Sequence, residues 1–133
     1  MTDPISDILI RIKNAQAVKQ EQVLVPFSGA KFKIANILKN EGFISEIERK
    51  KKKTEKSELE YLLLTLKYSD GTGAINGIKI ISRPSRRMYI KAKDIRLVRS
   101  GYGMAVISTP EGIMSSREAR KKNLGGEIMF EIY

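Results

Sequence analysis

The apolar residues of this chain change their spacing at Gly42. Before it, Ile5, Ile8, Leu9 and Ile12 recur at helical intervals, and so do Ala30, Ile34, Ile37 and Leu38. After it, apolar and polar residues mostly alternate, as over Phe43–Glu48 and Leu59–Tyr68, where Leu62, Leu64 and Leu66 share one face. Helical segments dominate the first part and strands the rest, an order that fits an α+β fold.

Local signals place the boundaries. Asp3 and Pro4 open a first helix that runs to about Val18. Gln22–Phe27 reads as a short strand, Ser28 caps the second helix, and Gly42 ends it in a left-handed conformation. Phe43–Glu48 and Leu59–Tyr68 form a hairpin, with the lysine run between them in its loop. Asp70-Gly71-Thr72-Gly73 is a turn.

The rest is mainly β. Ile75–Arg83 is strand-like, with Asn76-Gly77 marking a bulge or turn, and Pro84 ends it. Met88–Lys91 is extended, Asp94–Val98 makes a helical turn, and Gly103–Ser108 is a strand. Ser115-x-x-Glu118 is a capping box for a short helix to Asn123, which Gly125-Gly126 stops. Glu127–Tyr133 is the last strand, with Ile128, Phe130 and Ile132 facing one way. The 133 residues thus divide into two small domains, α-β-α-β-β over 1–72 and mainly β with a short helix over 73–133.

Charge says what such a chain meets. Its 25 Lys and Arg exceed its 15 Asp and Glu, for a net charge of +10, which asks for a polyanion. The excess is concentrated: residues 79–99 hold Lys79, Arg83, Arg86, Arg87, Lys91, Lys93, Arg96 and Arg99 against Asp94 alone, +7. These bases interleave with Ile80, Ile81, Met88, Tyr89 and Ile90, so they sit on a folded surface suited to RNA or DNA. The conspicuous run Arg49–Lys53 is flanked by Glu46, Glu48, Glu55 and Glu58; it reads as a solvated hairpin end or as phosphate-contacting lysines.

Other functions are excluded by what is missing. With no cysteine and no histidine there is no Ser-His-Asp triad, no Cys-His pair and no HExxH zinc site. Gly101-Tyr102-Gly103 begins like a dinucleotide fingerprint, but position 106 is Val106 and a strand follows. There is no phosphate-binding P-loop, and no spacing of acids points to a catalytic pair. No apolar run approaches the roughly 18 residues of a membrane-spanning helix. Met1-Thr2-Asp3-Pro4 does not open a signal peptide, so the expectation is a soluble intracellular protein without enzyme activity or cofactor.

Three places have the chemistry to touch nucleic acid. Ser108-Thr109-Pro110-Glu111-Gly112 offers two hydroxyls able to reach base edges, ribose 2′-OH groups or phosphates, although residue types alone favour an ordinary turn. Gly125-Gly126-Glu127 reads first as a helix stop and second as a place where a nucleic-acid backbone can approach closely. Tyr89 either stacks on a base or packs in a half-buried strand.

Taken in order, these stretches resemble one family. Residues 107–128 resemble the C-terminal signature of the eighth protein of the small ribosomal subunit in bacteria and organelles. The shared features are Gly101 and Gly103, Ser108-Thr109-x-x-Gly112, Ala119-Arg120, Gly125-Gly126-Glu127 and the aromatic terminus Tyr133. Asp3-Pro4-Ile5-x-Asp7 with Arg11-Ile12-Lys13-Asn14-Ala15 is similar to that family's first helix. Ile34-Ala35-x-Ile37-Leu38-Lys39-x-Glu41-Gly42-Phe43-Ile44 is similar to its second helix and strand, and Ile81-Ser82-Arg83-Pro84 with Arg87 and Tyr89 to its basic segment.

The resemblance implies a two-domain α+β protein of the ribosome that binds a helix in the central domain of small-subunit RNA and helps assemble the platform. It implies RNA-binding roles for Ser108, Thr109 and Gly112, for Ser85, Arg86, Arg87 and Tyr89, and for Gly125, Gly126 and Glu127, with backbone contacts from Lys31 and Lys33. It also implies the fifth and twelfth small-subunit proteins as neighbours, a monomer when free, and a cytoplasmic or organellar ribosome. The chain departs from the family at Pro110 and Glu111, where a third hydroxyl and a base are usual, and in the lysine-rich Lys50–Lys53.

Overall fold

The computed structural model describes residues 4–96, 98 and 102–133. They fall into two compact units, Met1–Ala74 and Ile75–Tyr133.

In the first unit, α1 (Pro4–Ala17) and α2 (Gly29–Asn40) pack on a three-stranded antiparallel sheet of order β1-β3-β2, formed by β1 (Gln22–Pro26), β2 (Ile44–Lys53) and β3 (Glu58–Leu66). The helical stripes become the core: Ile8, Leu9 and Ile12 of α1 and Ile34, Ala35 and Leu38 of α2 are buried with Val25, Leu62 and Leu64. Each fully buried aliphatic side chain is worth about 1.5–3 kcal/mol, so this stripe-on-sheet packing holds the unit together. Ser28 caps α2 by accepting from the Lys31 backbone N–H at 3.1 Å, and Gly42 turns the chain out at φ +84°. Asp70 and Gly71 both have positive φ, the geometry of the tight turn joining β4 (Tyr68–Ser69) to β5 (Thr72–Gly73).

The lysine run is not a loop. Lys50–Lys53 belong to β2, in register with Glu58–Tyr61 of β3, and only residues 54–57 form the hairpin end. Charge pairing across the strands makes this possible: Arg49 Nη2 meets Glu60 Oε2 at 2.7 Å and Lys51 Nζ meets Glu58 Oε1 at 3.9 Å. The Arg49 guanidinium also lies 4.3 Å from the Phe27 ring centroid.

In the second unit, β6 (Ile78–Ile80), β8 (Met104–Thr109), β9 (Gly112–Ser115) and β10 (Gly126–Ile132) form a sheet of order β6-β10-β8-β9. β7 (Tyr89–Ile90) pairs with the start of β10, while β6 pairs with its end. Between β6 and β7 the chain makes an excursion, closed where the Ser82 hydroxyl accepts from the Met88 N–H at 2.8 Å and turned by reciprocal backbone hydrogen bonds between Arg83 and Arg86. On one face of the sheet Ile107, Met114, Ile95 and Ala119 of α3 (Ser116–Lys121) cluster with Ile90 and Leu124.

Several boundaries differ from expectation. The strand expected over 75–83 shortens to β6, because the Asn76 and Gly77 N–H groups both bond the Tyr133 carbonyl and distort its start. Of the helical turn expected over 94–98, Leu97 lies outside the described residues; a 3₁₀ turn is present two residues earlier, at Ala92–Asp94, and Ile95 after it enters the core. β9 was not expected at all: four residues carry no readable alternation. Ile128 does not share a face with Phe130 and Ile132, because a bulge separates them; Ile128 pairs with Ile107 and Phe130 with Val106. Helix α3 has the expected Ser115 cap, accepting from Glu118 N–H, but it is Asn123, at φ +57°, that turns the chain after it.

Candidate nucleic-acid interface

The glycine pair has another use. A Cβ on Gly126 would collide with the Ser108 carbonyl, and one on Gly125 would lie 2.5 Å from the Ile90 carbonyl oxygen. The glycines therefore seat the start of β10 between β8 and β7. The backbone that comes close to them is the protein's own.

That seating aligns a row. Glu127 is the register partner of Ser108 on β8 and of Tyr89 on β7, and Ser108 is in turn the partner of Ile113 on β9. Register partners project from the same face, so a hydroxyl, a carboxylate and a phenol ring stand side by side. Tyr89 is 72% exposed, a large aromatic surface that resolves the two sequence readings against packing. Ser108 is half-buried, and among the described residues no hydrogen bond occupies its hydroxyl. Arg87 Nη1 reaches Glu127 Oε2 at 3.3 Å, which tethers the carboxylate beside the ring.

Thr109 and Gly112 do different work from Ser108. Thr109 is buried, and its hydroxyl donates to the Gly112 carbonyl at 2.8 Å while accepting from the Glu111 N–H at 3.2 Å. Gly112 sits at φ +119°, a conformation that side chains disfavour. Together they close the turn whose exposed tip is Pro110-Glu111. Ser85 and Arg86 are exposed on the excursion beside the row, and Arg86 has no ion-pair partner among the described residues.

Lys31 and Lys33 belong to the other unit and differ from each other. Lys31 is buried, with its ammonium 2.7 Å from Asp7 Oδ2; Lys33 is exposed on α2. The hydrogen bond from Lys31, aided by Arg11, holds the Asp7 carboxyl below its ordinary value against the opposing effect of burial. An ammonium held this way is poorly placed to meet phosphate, so of the two expected backbone contacts only Lys33 is presented to solvent.

The row can discriminate as well as attract. A carboxylate repels phosphate, yet it accepts hydrogen bonds from base N–H groups and ribose hydroxyls; a serine hydroxyl both donates and accepts; an exposed ring stacks on a base. Sequence reasoning found these residues but not the Arg87–Glu127 tether, which spans 40 positions and has no local signal. Among the described residues no cluster of acids has a metal-holding arrangement, and no helix is long and apolar enough to cross a membrane.

Comparison with known proteins agrees with this chemistry. The family described as ribosomal protein S8 matches residues 3–133. Small ribosomal subunit protein uS8 of Mycoplasmopsis pulmonis is 48% identical over 133 residues, covering 100% of this chain and 98% of that protein. The proteins of the same name from Staphylococcus carnosus and Mesorhizobium japonicum are 43% and 40% identical, each covering 100% of this chain and 98% of its own length. Similarity of that extent, along the whole chain, shows that it belongs to the ribosomal protein S8 family, structural proteins of the small ribosomal subunit rather than enzymes.

Proposed function

We propose that this chain binds the central domain of small-subunit ribosomal RNA through its C-terminal unit and helps assemble the platform. The observation that carries the reading is the row Ser108–Glu127–Tyr89, with Arg87 tethering its carboxylate. The surrounding bases supply affinity by releasing counterions; they carry no sequence information. The row supplies discrimination by reading an irregular helix through its minor groove or its unstacked bases. Thr109, Gly112, Gly125 and Gly126 act by shaping the backbone that presents the row, and Ser85, Arg86 and Lys33 by meeting phosphates. Lys31 serves the fold through Asp7.

The resemblance supports the fifth and twelfth small-subunit proteins as neighbours and a bacterial or organellar ribosome as the setting. A charge of +10 supports a free monomer, since copies repel one another. The test is binding to a short transcript of the central-domain helix against a scrambled helix of equal length, across a salt titration. Preference for the cognate helix by orders of magnitude, with both affinities falling as salt rises, supports the reading; equal binding refutes it.

A further inference from the structure

The Ser108 row uses one face of the C-terminal sheet. The other face carries a second basic feature. Helix α3 packs there, because Ala119 clusters with Ile107, the neighbour of Ser108 on β8 and therefore on the opposite face. Beside α3 lies a cleft of about 160 Å³ lined by Arg96, Arg117 and Arg120 together with Ile95, Val98 and Ser116. Among the described residues no carboxylate lines it. At about 30 Å³ per water, it has room for an anionic group and part of its hydration.

The arginines are there for separate reasons. Arg117 and Arg120 are three apart on α3 and share a side of the helix. Arg117 Nη2 lies 3.5 Å from the Gly103 carbonyl oxygen, at the rim. The one acid of α3, Glu118, is engaged by Lys122 at 3.4 Å and does not neutralise Arg120. Arg96 follows the 3₁₀ turn, whose Ile95 is anchored in the core, and its side chain is exposed. Among the described residues neither Arg96 nor Arg120 has an ion-pair partner. Arg96 also lines an adjoining hollow of about 320 Å³ that carries Asp94 and Glu131, so an anion is directed to the side of Arg96 that faces Arg117 and Arg120.

Arg120 has a modest alternative role, as a cation near the C-terminus of its helix. That accounts for one charge on a six-residue helix. It does not account for Arg96, which comes from a different element and faces the same cleft.

We propose that the cleft of Arg96, Arg117 and Arg120 grips the phosphate backbone of a second RNA segment, on the sheet face opposite the Ser108 row. Guanidinium groups match phosphate oxygens in paired, charge-assisted hydrogen bonds. Because the two surfaces lie on opposite faces, one short helix does not reach both. The C-terminal unit is then a clamp between two RNA segments, bound specifically on one face and electrostatically on the other. This rests on the RNA-binding reading above.

The test uses the full chain, the double variant R96Q/R120Q and two RNAs, with no other protein present. One RNA is the short central-domain helix; the other is the whole central domain. The variant keeps its affinity for the short helix within about twofold and loses about tenfold on the whole domain, where its log–log salt slope falls by about one to two. The charge-keeping R96K/R120K recovers much of the loss. Thermal unfolding of both variants stays at the wild-type midpoint, since both side chains are exposed.

Wild-type affinity of R96Q/R120Q for both RNAs overturns the proposal, and equal losses on both reduce the cleft to general electrostatics. Normal binding to both RNAs with poor retention in subunits reconstituted with the other proteins assigns the cleft to an acidic protein segment instead. A wild-type chain that does not prefer the cognate short helix refutes the first reading alone, and the whole-domain comparison still judges the cleft.

Discussion

The Arg87 guanidinium meets the Glu127 carboxylate at 3.3 Å, an arginine from the basic excursion bound to the one acid of the row. Arg87 is half exposed, so the pair contributes at most about 1 kcal/mol to stability. In the proposed interface the pair orients an acceptor. Glu127→Gln is expected to leave the urea midpoint nearly unchanged. The preference for cognate over scrambled RNA should fall about tenfold, as one acceptor oxygen becomes an amide donor. A uniform gain on both RNAs would show that the carboxylate merely repels phosphate.

Ser108 and Thr109 are adjacent hydroxyls with opposite expected phenotypes. Ser108→Ala removes a group that no intramolecular hydrogen bond uses among the described residues, so stability holds while discrimination drops, by about 1–3 kcal/mol where a buried RNA partner is left unpaired. Thr109→Val removes both bonds that close the turn to Gly112 and costs about 1–3 kcal/mol of stability. Denaturant unfolding and RNA competition on the two variants separate them. Equal destabilisation would contradict the division of labour.

Gly126→Ala is expected to be disproportionately harmful. The added methyl meets the Ser108 backbone carbonyl, which has no rotamer to escape into. The strands must part, at about 1–3 kcal/mol, and the row is broken with them. Gly29→Ala is the control: a Cβ there meets nothing within 4 Å, and less unfolded-chain entropy favours the variant by up to about 1 kcal/mol. Thermal melts of both should move in opposite directions.

Asp7 gives the N-terminal unit an acid sensitivity. Its folded pKa is lowered, first by the hydrogen bond from Lys31, relative to an ordinary value of 3.8. The stability this confers is whole above that value and is lost as pH falls through the lower folded value. Asp7→Asn should flatten the acid-unfolding curve below about pH 4 and lower stability near neutrality, because Lys31 keeps a mostly buried charge without its partner. An unchanged acid limb would remove Asp7 from this role.

The parts of the fold legible in the sequence were those encoded locally. The stripe Ile5–Ile12, the Ser28 cap and the Gly42 exit each depend on residues within a turn or two of one another. Strand β2 was half hidden, because lysines have little strand preference and their partners Glu58 and Glu60 lie across a hairpin. The candidate site divides the same way. Ser108, Tyr89 and Glu127 were recognisable one by one, yet their alignment is a matter of register between strands far apart in the chain. The glycine pair shows in the sequence that something comes close, but not that it is the protein's own strands, because packed backbones leave no mark except the absence of a side chain.

Among the described residues strand β2 pairs only with β3, which leaves its outer side an open edge ten residues long. Open edges of that length recruit the strand of another molecule and seed fibrils. Four consecutive lysines make a second copy approach against its own charge. A polyanion that neutralises those lysines removes the repulsion, so the edge is guarded by the same charge that a nucleic acid would engage.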